Sequence, residues 1–196
     1  MFAFVMLLVA ACPKVSCPGG PTGSGVVVGV KDDFAYVLTA AHVVTFDGVE
    51  VRFGRESGWF ADSPEVVKRW PDPDIALVRF RVGKEPVPVL PLAAAGQRPK
   101  AFPVSAWAVG RTGESATVWA DQLLAKRFVR KSATAAAFFW ETQRPPEPGR
   151  SGGPLVVGGR VIGICTANQG GRGYYTHIDE IHAALTRDGH GWLVPK

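Results

Sequence analysis

A chain of 196 residues, 46 % hydrophobic and 20 % charged, holds too much apolar material for extended disorder, and it is large for one barrel but ordinary for a two-barrel unit. Its net charge of +5 comes from Lys and Arg scattered singly or in pairs such as Lys68-Arg69 and Lys126-Arg127. That scatter argues against nucleic acid as a partner, because a phosphate-tracking surface needs a stripe of cations. The three cysteines form no CxxC and no paired histidines accompany them, so no metal site is expected.

The chain begins with an apolar run over residues 1–11. It is too short to span a membrane, which takes about 20 residues, but it matches the apolar stretch of a secretory leader. Val9-Ala10-Ala11-Cys12 resembles the site where a bacterial lipoprotein is cut before a cysteine that then receives lipid, although no Lys or Arg precedes the run. Residues 1–20 are therefore read as leader and linker, and the protein as exported: periplasmic, extracellular, or anchored to a membrane through a lipidated Cys12. Cys12 and Cys17 either pair in an oxidising compartment or stand as one lipidated and one free thiol. Cys165 lies in an apolar run and reads as a core residue.

Residues 13–25, rich in Pro and Gly, read as a loop entering the fold. Short β-branched and aromatic runs follow at 26–30, 35–39, 49–53, 65–70 and 75–81, with Lys31-Asp32-Asp33 as the first turn. This rhythm fits an all-β sandwich or barrel and not alternating strands and helices. Pro86, Pro88, Pro91, Pro99 and Pro103 then break the pattern, and proline cannot donate to a strand ladder. The chain divides there into two halves, 21–98 and 99–196. The second half resumes strands at 105–109, 115–120, 126–129 and 135–141, crosses a Pro-rich loop at 144–149, and continues at 155–157, 161–165 and 173–176. Ile178, Ile181 and Leu185 fall at helical spacing after a capping-type start at Thr176 and Asp179, which predicts a short C-terminal helix.

Three segments carry chemistry. In Gly149-Arg150-Ser151-Gly152-Gly153-Pro154-Leu155, glycines around a serine let the backbone turn so that N–H groups converge where an oxyanion would form. Thr39-Ala40-Ala41-His42-Val43 ends a predicted strand in small residues that leave an imidazole room in a crowded cleft. In Asp72-Pro73-Asp74-Ile75-Ala76-Leu77-Val78, an acid opens an apolar strand, so its carboxylate would be buried. Each has a plain reading by itself: a flexible turn, a structural histidine, a turn with acids. Together, in the order His, Asp, Ser, they resemble the trypsin-like (chymotrypsin-fold) serine peptidases, and within them the bacterial HtrA/Deg-like branch. Gly23-Ser24-Gly25-Val26-Val27, Val161-Ile162-Gly163-Ile164 and Gly173-Tyr174-Tyr175 resemble further strands of that family, so the likeness covers residues 21–185. No PDZ-type domain follows within the 196 residues.

The resemblance implies two antiparallel β-barrels, 21–98 with His42 and Asp74 and 99–196 with Ser151 and the terminal helix, around a cleft. It implies a serine-type endopeptidase acting on proteins or peptides, without metal or organic cofactor, through a triad of His42, Asp74 and Ser151. Asp74 is preferred to Asp72 because it directly precedes the apolar strand. The Gly149 and Ser151 N–H groups, with that of Arg150 between them, would form the oxyanion hole. Pro145, Thr166, Ala167 and Asn168 would border the substrate pocket. Pro145 stands where trypsin has its pocket-floor aspartate, so a small or aliphatic side chain is expected there in place of Lys or Arg. Arg150 stands where animal enzymes have aspartate and HtrA-like ones commonly asparagine. An arginine cannot pair with a newly cut N-terminus, and its charge is left to steer substrates or to meet a nearby carboxylate. His177, His182 and His190 read as surface or packing residues. The alternatives are a catalytically weak or inactive binding module kept on the protease fold, and an esterase with the same triad.

Overall fold

The computed structural model describes residues 2–54, 59–83, 86–130 and 136–196. Ala135, at the start of one predicted strand, and Met1, at the start of the apolar run, lie outside them.

The first half is a six-stranded antiparallel sheet made of β1 (Lys14–Ser16), β2 (Thr22–Lys31), β3 (Phe34–Thr39), β4 (Glu50–Arg52), β5 (Asp62–Trp70) and β6 (Ile75–Arg81), in the order β4-β1-β2-β3-β6-β5. It curls toward a barrel because the chain before β5 returns to β4, with Ala61 N–H donating to Val51 O at 2.8 Å and Phe53 N–H to Trp59 O at 2.9 Å. The second half comprises β7 (Val104–Thr112), β8 (Ser115–Arg130), β9 (Ala136–Thr142), β10 (Pro154–Val157), β11 (Arg160–Gln169) and β12 (Arg172–His177). It closes fully, in the order β10-β11-β12-β9-β8-β7. The fold is therefore the expected all-β pair of barrel-like halves with a short C-terminal helix, α2 (Ile178–Arg187).

Each half encloses its own apolar core. Val27, Val37, Val51, Val78 and Phe80 fill the first, and Leu123, Trp140, Leu155, Ile162 and Tyr175 the second. A third cluster runs between the halves, where Leu38, Leu77, Leu92, Val109, Val156 and Leu185 meet. Burying such a side chain stabilises the fold by about 1.5–3 kcal/mol, so this shared cluster locks the halves into one unit.

Four details differ from the sequence reading. The loop expected at 13–25 contains β1, a three-residue strand paired on both sides with β2 and β4, and β2 already begins at Thr22. A strand this short shows no periodicity, and its partners supply it; the first sheet therefore starts ahead of residue 21. The strands expected at 115–120 and 126–129 are one continuous β8, irregular against β9 between Leu123 and Ala125. Asp121, between the two expected strands, is buried, and its Oδ1 accepts from the N–H groups of Gln122 (2.7 Å) and Arg144 (3.1 Å). The cap of α2 is His177, whose Nδ1 accepts from Asp179 N–H at 3.0 Å, one residue later than expected.

The apolar start of the chain forms α1 (Phe2–Ala10), with Leu8 buried, and Cys12 and Cys17 are separate buried thiols. No helix among the described residues is long and apolar enough to cross a membrane. Burial pushes the Cys12 thiol up to about 11 and the Cys165 thiol up to about 12. A thiol so held is neither accessible nor ionised near neutral pH. The three cysteines should thus resist a thiol-specific disulfide reagent in the native protein, and all three should react once it is unfolded. A native Cys12–Cys17 disulfide would instead leave a single reactive thiol after unfolding.

Candidate active site

Asp74 closes the turn that leads into β6, with its N–H on Pro71 O at 3.1 Å and its backbone in the left-handed region at φ 55°. Aspartate tolerates that region better than most residues, and the turn aims the carboxylate back across the strand end. There it meets His42, in the short 3-10 turn Ala41–Val44 that follows β3. Asp74 Oδ1 accepts from His42 N–H at 3.0 Å, and Oδ2 lies 2.8 Å from His42 Nδ1. Of the two acids in this turn, Asp74 is the one bonded to His42.

The second half reaches the same carboxylate. Thr166, in β11, donates its hydroxyl to Asp74 Oδ2, and Thr176, in β12, donates to Pro73 O. Burial by itself would raise the Asp74 carboxyl. The hydrogen bonds from the His42 ring and from Thr166, with the charge of His42, outweigh it and hold the carboxyl below its usual value of 3.8. Asp74 is therefore ionised at neutral pH and only accepts, so the His42 nitrogen that faces it, Nδ1, is the one that carries a proton.

The loop before Ser151 is fastened from both halves. Ser151 O accepts from Ser24 N–H at 2.7 Å, and Gly149 O accepts from Ser24 Oγ at 2.8 Å. Gly152, at φ 87°, is wedged so that a side chain there would collide with Ser24 O and Thr39 Oγ1 and stand 2.9 Å from Ala40 N. Ser151 thus lies where the loop of the second barrel touches the strand end that runs into His42.

The three N–H groups expected to converge are not equivalent. Arg150 N–H is spent on Glu147 O at 3.2 Å, which removes it from the expected oxyanion set. The N–H groups of Gly149 and Ser151 have no acceptor among the described residues.

Arg150 turns inward and bonds no carboxylate among the described residues, contrary to both expectations for its charge. It is buried to 1 % exposure, donates to Ala108 O at 2.8 Å and to Thr117 Oγ1, and lies 3.5 Å above the centre of the Trp119 ring. Arg144 lies 3.7 Å from the same centre, and two guanidinium groups that close cannot share a face, so they sandwich the indole.

The four expected pocket residues divide. Thr166 and Ala167 line a largely apolar hollow of about 380 Å³ with Phe128, Phe139 and Tyr174. Pro145 borders a different hollow with Asp121 and Arg144. Asn168 Nδ2 donates to Pro146 O at 3.1 Å, which ties the loop before Ser151 to β11. The sequence reading missed Ser24, Thr176 and the three aromatic residues. Ser24 stood in a quoted motif, and only its partner, 125 residues along the chain, reveals its task.

Comparison with known proteins places this geometry. The model of the trypsin-like peptidase domain matches residues 23–164, and the chain belongs to that family of peptidases. Among solved structures, it resembles the Rv3671c protease of M. tuberculosis in its inactive form (TM-score 0.77, 23 % identity, 95 % of this chain and 92 % of that one). It also resembles the HtrA-type protease AlgW, solved with a decapeptide (TM-score 0.76, 20 % identity, 97 % of this chain and 68 % of that one). At these identities the likeness is one of fold. No curated protein matches the chain by sequence.

The Thr166 hydroxyl makes a checkable contribution. Asp74 is held below its ordinary pKa, so its ionised form adds stability above about 3.8 that is lost as pH falls through the folded-state value. Thr166→Val removes one donor, which should cost about 1–3 kcal/mol at neutral pH. It should also move the acid loss of stability to higher pH, as read from thermal unfolding between about pH 2 and 6. Superimposable profiles for the two proteins would mean that Thr166 does not stabilise the carboxylate.

Proposed function

We propose that the protein is a serine endopeptidase in which Ser151, His42 and Asp74 form the catalytic triad. The observation that carries this reading is the Asp74 carboxylate bonded twice to His42, beside a serine loop whose Gly149 and Ser151 N–H groups are unspent. Ser151 Oγ attacks the carbonyl carbon of a bound peptide as His42 Nε2 takes its proton. Asp74 holds the ring in the required tautomer and balances the imidazolium charge. The carbonyl oxygen, now an oxyanion, receives the Gly149 and Ser151 N–H groups. His42 returns the proton to the departing amine, and water, activated by the same nitrogen, releases the acyl group from Ser151. The residues in these roles need no metal or organic cofactor.

The apolar hollow beside Thr166, with Phe128, Phe139 and Tyr174, favours substrates that are apolar near the cleaved bond. Glu147, in the loop before Ser151, does not line that hollow and accepts from Thr112 Oγ1 at 3.2 Å. Export fits the apolar start of the chain.

Hydrolysis of a peptide library tests the reading, with products identified by mass. Internal cuts are expected, and Ser151→Ala or His42→Ala should each lower kcat by about a million-fold, with the double variant no worse than either one. Peptides bound but never cut by the wild type would favour the binding module, and turnover of esters without amides the esterase.

A further inference from the structure

Arg111, in β7, takes no part in the reaction drawn above. It is 3 % exposed, and the bonds of its guanidinium run to main-chain carbonyls: Nε to Cys12 O at 3.0 Å, and one terminal nitrogen to Gly54 O and Glu114 O, both at 2.7 Å. Those carbonyls belong to three separate parts of the chain: the stretch ahead of β1, the residues just past β4, and the β7–β8 turn. A buried guanidinium is costly unless its donors are met, and its planar fork can serve several carbonyls at once where an ammonium cannot.

The main chain of the same residue carries the serine loop. Arg111 N–H donates to Ser24 Oγ at 2.7 Å, and that hydroxyl donates to Gly149 O at 2.8 Å. Arg111 O lies 2.6 Å from where a side chain on Gly149 would begin, and Gly149, at φ 89°, is the glycine that allows the approach. The carboxylate of Glu114 fastens the assembly a second time, to Lys14 Nζ of β1 at 2.6 Å and Arg52 of β4 at 3.1 Å. The guanidinium and the N–H that holds Ser24 are thus two ends of one residue, and the stretch from Cys12 to Lys14 is held once by Arg111 and once by Glu114.

We propose that Arg111 is a positioning residue for the oxyanion loop, and that through it the segment ahead of the first barrel, from Cys12 to Lys14, helps to set the geometry in which the Gly149 and Ser151 N–H groups stay unspent. The inference rests on the role given to Ser151 above. It makes that N-terminal stretch, whose Cys12 stands 30 residues before His42 in sequence, a control point for activity.

The test uses the full chain, with Arg111→Lys, which keeps the charge but not the fork, and Ser24→Ala, which keeps the buried cation but cuts the link to Gly149. Hydrogen–deuterium exchange across residues 147–153, where Arg150, Gly152 and Gly153 N–H are bonded, is compared with exchange in α2. Both variants should exchange about tenfold faster in the loop and unchanged in α2. Peptide hydrolysis should lose about tenfold or more in kcat with KM within about twofold, since an oxyanion donor acts on the transition state. Loop exchange equal to wild type in both variants would overturn the inference, as would equal acceleration throughout the molecule, which marks a structural role alone. If Arg111→Lys does not fold, Ser24→Ala decides. A wild type that cuts no peptide contradicts the role of Ser151, while the exchange comparison still decides that of Arg111.

Discussion

The structure turns on one carboxylate. Asp74 is largely buried, and a buried charge persists only where it is bonded on several sides. His42 supplies a main-chain and a ring donor from the first half, and Thr166 a hydroxyl from the second. Neither half can satisfy Asp74 by itself. The apolar cluster between the halves therefore has a functional consequence, because Leu38, Leu77, Leu92, Val156 and their neighbours fix the separation across which Thr166 must reach. Thr176 on Pro73 O repeats the connection one step back in the turn.

The serine loop obeys a different constraint. Its charged member, Arg150, faces inward with no carboxylate bonded to it among the described residues. Carbonyl oxygens of β7, the Thr117 hydroxyl and the face of Trp119 take the place of a counter-ion, and burial lowers its pKa from the ordinary arginine value. A cation over an indole gains about 0.5–2 kcal/mol, more as water is excluded. The loop is thus held from below by Arg150 and from behind by Ser24, to which the Arg111 N–H is bonded.

How much of this was legible in the sequence follows from how local each feature is. The Gly-Ser-Gly-Gly stretch, the histidine after small residues and the acid before an apolar strand are each complete within a few residues, and they pointed to the correct fold and to the two partners now seen bonded. The helix α2 was legible from Ile178, Ile181 and Leu185, although its cap fell one residue later because an imidazole nitrogen serves as well as a hydroxyl. What stayed hidden depends on distant partners. Thr166 was placed only at a pocket wall, since the acid it serves lies 92 residues away. Arg150 could be seen to lack its family's usual role, but its destination required β7 and Trp119 of β8. Three-residue β1 exists only between β2 and β4, and β8 runs unbroken through buried Asp121, whose partner Arg144 lies 23 residues along the chain.

Reaction with a fluorophosphonate reagent at neutral pH, followed by peptide mapping, tests the central claim most directly. The account predicts one phosphonyl group per chain, on Ser151 Oγ, and loss of that labelling when His42 is changed to Ala in a protein that still folds. A natively folded wild type that takes up no label, or takes it up on another residue, would contradict it.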